Sequence, residues 1–414
     1  MSAAEFRELI EQLSSDPAVA GISIKGSYES LTGHTVTPPA GTMRQDGQDV
    51  GIYSSADGEE MATLDTWGSV ASRCETLLAG PYGDLALADV LGFPLITFVD
   101  EEGTVLTTSV ELSHRQADAT WRLCRDELRE AGVPFDDIQQ ATRTNPDALL
   151  AGFPTAIPFG WWHSHTKRSQ AAIDKTPKDK GGDQGKAGAK GGTDADLART
   201  KNEYLGYYVM NPADSRSARL FTAEFTAVGV NRRPRMAAKV DALFAAVSDK
   251  QTVGGQKLST LGLGSIPPTR ISSHADPKRP GPTDLTYRAI ESRAFLSFTG
   301  LRAFRFSQPT AARTLVTALT FLLYSLLHQN LNFRAGTELR LLEPGLEVRV
   351  ERHGEAPEPL TLPPVADLIE LVRELGAEVG WGGPRVVTIP AGSPLGKVIG
   401  IIDGKAKLEH EDES

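Results

Sequence analysis

Ala218–Val230 reads ARLFTAEFTAVGV. Phe221, Ala223, Phe225 and Ala227 alternate with Thr222, Glu224 and Thr226, the period of a strand with one buried and one polar face. Val19–Tyr28 (VAGISIKGSY) alternates in the same way. Helical spacing appears over residues 5–14, over Asp65–Leu78 with Leu64, Val70, Leu77 and Leu78 as core candidates, and over Ala366–Leu375. Thr310–Leu327 is apolar nearly all round; its continuous run from Thr314 is short for a bilayer and fits a core helix. Leu95–Val99 and Val105–Ser109 form strands around the turn at Asp100–Gly103, and residues 29–60 read as loop with room for a hairpin. Ser113, with Gln116 three residues on, starts a helix to about Ala131. Glu338–Leu342 and Leu346–Glu351 read as a hairpin across Pro344-Gly345. The class is α+β: one core with two long excursions, 163–203 and 250–286.

Charge is unevenly spread. The 414 residues carry a net charge of −10, which argues against a wholly basic binding surface. From Thr166 to Gly192, however, seven Lys/Arg face three Asp. Arg232, Arg233, Arg235 and Lys239 follow without an acid, and Arg270, Lys278 and Arg279 accompany only Asp276. Three basic stretches in the middle third suit a polyanion groove, while each alone equally suits a solvated loop. Cys74 and Cys124 are too few for a disulfide framework, and the N-terminus lacks signal-peptide features, so a reducing cytoplasm is expected.

Residues 160–165, GWWHSH, hold the strongest hint of chemistry. His163 and His165 could share a zinc ion, but a catalytic site needs a third ligand and a base. Ser169 and Asp174 come too early for the JAMM metalloprotease pattern that this stretch resembles, and no cofactor or metal is expected. Alternation buries one of Trp161 and Trp162 and leaves the other beside the basic segment, where it could stack on a base. Arg73, His114 and Arg115 lie on helical patterns suited to phosphate, or to ion pairs with Glu75 or Asp118. The spacing places Phe295, Phe298, Leu301 and Phe304 in the core, with Arg302 and Arg305 on another face. Gly262 and Gly264 read as a turn closed by Pro267-Pro268.

Several of these stretches resemble one family in order. LDTWGSVASRCE is similar to LDSVQSQANRxE, with Asp65, Ser69, Ala71, Arg73 and Glu75 in place, while Gly68 and Ser72 replace a Gln and an Asn. TSVELSHRQADA is similar to TSLEAPHRIADA at Ser109, Glu111, His114, Arg115 and Asp118. FGWWHSH stands where the family has FGxWDS, so Trp162 and Ser164 match and His163 replaces an acid. ARLFTAEFTAVGV, KLSTLGLGSIPP, SRAFLSFTGLRAFRF and LNFRAGTEL have similar counterparts in sequence order. Between Leu64 and Leu342 the chain thus resembles the backbone subunit of type I-U (I-G) CRISPR interference complexes, of the RAMP superfamily.

That resemblance implies an RNA-recognition-motif-like (ferredoxin-like) palm with large inserted loops. Residues 1–162 would form the N-terminal part of the palm with helical insertions, and 163–203 a flexible Lys/Gly-rich loop. Residues 204–352 would complete the palm, including the loop at 250–286, and 353–414 would be a C-terminal helix and tail. The implied function is non-catalytic. Copies of the chain would polymerise along the spacer of a CRISPR guide RNA, meeting other effector subunits, and target DNA through the guide, away from any membrane. Arg73, His114, Arg115, Trp162, Lys167, Arg168, Arg232, Arg233, Lys257 and Arg302 are the expected RNA contacts. The competing expectations are a zinc hydrolase built on His163 and His165, and a RAMP-type ribonuclease using His114 or His163 as base.

Overall fold

The computed structural model describes residues 1–39, 51–162, 216–234, 236–243, 252–258, 260–261, 263–270 and 283–401. The alternating stretches become neighbouring parts of one nine-stranded sheet. Its strands are β1 (Val19–Ser30), β2 (Ile52–Ser54), β3 (Glu60–Asp65), β4 (Phe221–Val228), β5 (Ala289–Ser297), β6 (Asn332–Arg334), β7 (Thr337–Leu341), β8 (Glu347–Arg352) and β9 (Glu358–Leu360). The order is β6-β7-β1-β5-β4-β3-β2, with β8 also paired to β1 and β9 to β8. Ile22 lies opposite Leu296, Ile24 opposite Ala294, and Ala294 opposite Ala223. These side chains are buried, while Lys25, Arg293 and Glu224 alternate onto the other face.

Helices cover the buried face. α1 (Ala3–Ser15) opens with a capping box between Ser2 and Glu5. α2 (Trp67–Thr76), α3 (Pro309–Leu327) and α4 (Val365–Glu378) follow. α3 packs against α1, α2 and α4. It is long and apolar enough to cross a membrane, but 83% of its apolar window is buried in this protein, which makes it the core helix expected. A smaller sheet pairs Ile96–Val99 antiparallel with Val105–Thr108 and parallel with Arg385–Thr388.

The α+β class holds, and every pair in the main sheet is antiparallel, including the central β1–β5 pair. Several elements differ from expectation. β7 and β8 do not form a hairpin: both pair with β1, one after the other, with residues 342–346 bulging opposite 26–27. β1 is long enough to serve both. The helix expected over 113–131 is broken into a 3₁₀ turn at Arg115–Ala117 and short helices Ala119–Leu123 and Arg125–Glu130. Arg115 has φ 55°, outside the helical region, and Asp118, not Ser113, caps the next turn through the Thr120 amide. Phe298, Leu301 and Phe304 are buried as expected; Phe295 is only half-buried, on the open face of the sheet.

One buried polar chain pins α3 to the sheet centre. His328 Nδ1 lies 2.7 Å from the Tyr324 carbonyl, so that nitrogen carries the proton and Nε2 accepts from the Tyr28 hydroxyl at 2.8 Å. Tyr28 then accepts from Ser292 Oγ at 2.7 Å, and Ser292 from the Tyr324 hydroxyl at 3.3 Å. A protonated His328 would turn a second donor on Tyr28. Burial lowers the His328 pKa from 6.5 to about 4. Since the folded value lies below the unfolded one, the unfolded chain binds more protons between them, and stability is lost as pH falls from 6.5 towards 4. We expect His328 to contribute on the order of 3 kcal/mol to that loss. In urea unfolding at pH 7 and pH 4.5, His328→Gln should show a clearly smaller decline than the wild type; equal declines would refute the assignment.

Candidate nucleic-acid interface

β4 and β5 are adjacent, yet the residues between them do not make a tight turn. Asn231–Pro234 pairs with Thr283–Thr286, which also pairs with Thr35–Val36. Met236–Lys239 pairs with Ile266–Arg270, so Pro267 and Pro268 lie in a strand of a two-stranded ribbon, where a proline is tolerated. Thr252–Val253 pairs with Gln256–Lys257 around Gly254-Gly255, whose φ values of 58° and 82° suit a type I′ turn. The described parts of the 250–286 excursion are therefore largely strands of a β-arm. Its base is locked by Leu285, fully buried, and by Arg288, which donates through two nitrogens to Glu59 at 2.8 Å each. Gly229 is needed here: at φ 67°, a Cβ would stand 2.8 Å from Arg288 Cβ.

The arm combines exposed cations with exposed apolar side chains. Arg232, Arg233 and Lys257 are exposed. Val240 and Leu243 are 89% and 86% exposed, and Val253, Leu261 and Ile266 are also open to solvent. An element that presents both can contact phosphates and pack against bases.

The other sequence-predicted arginines serve the fold. Arg73 Nε donates to the buried carboxylate of Asp65 at 3.0 Å, and Nη2 to the Phe333 carbonyl at 2.9 Å, with the guanidinium 4.8 Å from the Phe333 ring centre. Arg302 donates to the carbonyls of Asp16 and Val19 at 2.9 and 2.8 Å, closing the link from α1 to β1. Arg115 is buried and reaches Glu75 through Nε at 2.8 Å and Nη2 at 2.7 Å, while Nη1 donates to the Gly160 carbonyl at 3.0 Å. These guanidiniums have their donors turned inward, a different setting from the solvent-facing one read from the sequence. His114 is exposed beside Arg115. Trp161 is buried, and Trp162 pairs with Arg216 in a short ladder. Lys167, Arg168, His163 and His165 lie outside the described residues. Among those described, no group of three His, Cys, Asp or Glu could hold a metal ion.

The structure thus groups the candidates by element: Arg232, Arg233 and Lys257 on the arm, and His114 and Arg115 at a cleft beside the Trp161–Trp162 ladder. Arg73 and Arg302 stand apart. The cleft is lined by Ser113, His114, Arg115, Gly160, Trp161 and Ser217–Arg219. A second groove on the open sheet face is bordered by Tyr53, Trp67 and Phe295, with Glu224, Glu291 and Arg293 among its lining. Sequence reasoning missed Trp67, half exposed at the start of α2, and Arg219. Trp67 stands three, four and seven residues before Val70, Ala71 and Cys74, so helical spacing put it on their apolar face and gave no signal of its exposure. Because Glu75 and Arg115 are both buried, Glu75→Gln should strand a charge and destabilise the protein by about 3–5 kcal/mol. Chemical denaturation checks this; a loss below about 1 kcal/mol would show that the pair does not hold the cleft together.

Residues 22–176 match the family described as CRISPR-associated protein GSU0053. The match begins inside β1, takes in α2, Glu75, His114, Arg115 and the Trp161–Trp162 strand, and covers rather more than a third of the chain. No curated protein matches. Over residues 22–176, the chain is similar to this CRISPR-associated family.

Proposed function

We propose that the chain is a non-catalytic backbone subunit of a type I CRISPR DNA-targeting complex, binding guide RNA in the cytoplasm. Copies would line up along the spacer and meet the target strand through its pairing with the guide. The CRISPR-associated family match supports the setting. The ordered motifs between Leu64 and Leu342 support the type I-U/I-G subtype and the RAMP relationship. In this reading the antiparallel sheet with its long excursion would be the palm.

The observation that carries this reading is the β-arm. It holds Arg232, Arg233 and Lys257 in the open, beside large apolar side chains that a soluble monomer gains nothing by exposing. Cations that track phosphates bind without regard to sequence, as a variable spacer requires. The net charge of −10 then concerns the remaining surface.

We expect full-length protein to bind single-stranded guide RNA with Kd of about 10⁻⁹–10⁻⁷ M at low salt, losing on the order of tenfold or more between 50 and 200 mM salt. Arg232→Ala/Arg233→Ala/Lys257→Ala should weaken binding roughly tenfold and reduce the salt slope by about two, with Tm unchanged. Arg73→Ala and Arg115→Ala belong in a stability experiment instead, because their donors hold the fold. Salt-independent binding, or an arm variant that binds like the wild type, would contradict this role for the arm. Cleaved RNA, or stoichiometric zinc lost on His163→Ala, would favour the enzymatic alternatives.

A further inference from the structure

We infer that the cleft between Ser113–Arg115, Gly160–Trp161 and Ser217–Arg219 seats one phosphodiester of a bound RNA strand, with Arg219 as its cation and Trp67 as a platform for the adjoining base. The ligand rests on the RNA-binding proposal above; the anion site itself rests on charge and geometry. Two guanidiniums, Arg115 and Arg219, border the cleft, and one carboxylate, Glu75, lies close to them. Arg115 uses Glu75 fully, through two donors. Arg219 makes no hydrogen bond or ion pair among the described residues and is exposed at the surface. Among the described residues, a full positive charge therefore remains in a concave site.

The surroundings make that charge costly to keep without a ligand. Partial burial and then the neighbouring Arg115 lower the Arg219 pKa. Guanidinium nevertheless stays protonated, so an entering anion relieves the repulsion. Ser113, His114 and Ser217 add potential donors around it. The nearest further carboxylate on this turn, Asp118, accepts from the His114 amide at 3.4 Å and from the Thr120 amide at 3.0 Å. Arg115 is the only non-glycine with positive φ among the described residues, and its strained backbone brings the Glu75 pair and the cleft together. Gly160, at φ 76°, lets the two walls meet: a Cβ there would stand 2.6 Å from the Ser217 carbonyl.

Arg219 also fixes the direction of the strand. A Cβ on Gly68 would stand 3.5 Å from Arg219 Nη2, so the guanidinium reaches the first turn of α2 beside Trp67. Trp67 borders the open sheet groove on its other side. That groove contains Glu224 and Glu291 against Arg293, hence no cationic excess, and it suits a base rather than a phosphate.

The test uses the full chain with fluorescein-labelled single-stranded RNA, and separately with inorganic tripolyphosphate. Arg219→Gln should weaken RNA binding about 5- to 20-fold and lower the salt slope by about 0.7, whereas Arg219→Lys should stay within about threefold of the wild type. Trp67→Ala should weaken binding without changing the slope. Tripolyphosphate should raise the Tm of the wild type and Arg219→Lys by about 2 °C or more, and leave Arg219→Gln unmoved. If the wild type binds RNA and Arg219→Gln binds it equally well, the phosphate seat is overturned and the RNA-binding proposal stands. If the wild type binds no RNA, that proposal falls; a tripolyphosphate shift lost in Arg219→Gln would then preserve the anion site alone, and no shift would remove it too.

Discussion

The buried pair between Glu75 and Arg115 is the constraint on which the candidate site depends. Burying two opposite charges yields little net stability unless the remaining donors are also satisfied. Here Arg115 spends its third contact on the Gly160 carbonyl, so one side chain joins α2, the turn at 113–118 and the strand at Trp161. The cleft exists because these three segments, distant in sequence, are held to one point. The pair also explains the charge pattern: once Glu75 is committed to Arg115, Arg219 has no carboxylate of its own among the described residues.

The same economy runs through the family-like motifs. Asp65 and Arg73 of one motif meet Phe333 and Arg334 of another, with Arg334 donating to the Leu64 carbonyl at 2.8 Å and lying 3.7 Å from Asp65. Glu75 and Arg115 join the first motif to TSVELSHRQADA. Residues that resemble a family's signature are thus largely the ones that fasten segments together. The arm and Arg219, by contrast, present cationic side chains to solvent.

This division explains what was legible in the sequence. Strand alternation at 19–28 and 221–228 and the apolar run of α3 were plain because a single burial pattern repeats within each. The arm was not legible, because a ribbon exposed on both faces has no hydrophobic period. The shared pairing of β7 and β8 with β1 was hidden because Pro344-Gly345 resembles a turn whether or not the flanking strands face one another. The sequence left Arg73 and Arg115 open between phosphate and an ion pair, and the partners of Arg73, Arg115 and Arg302 were hard to read because they lie 8, 40 and more than 280 residues away. Arg219 was masked by the strand that follows it.

The central claim is that this chain carries guide RNA. The most direct measurement is sequencing of the RNA that co-purifies with the full-length protein expressed with its own locus. The account predicts repeat–spacer RNA in stoichiometric amounts, protected in regular segments. Protein free of nucleic acid, or carrying a random sample of cellular RNA, would contradict it.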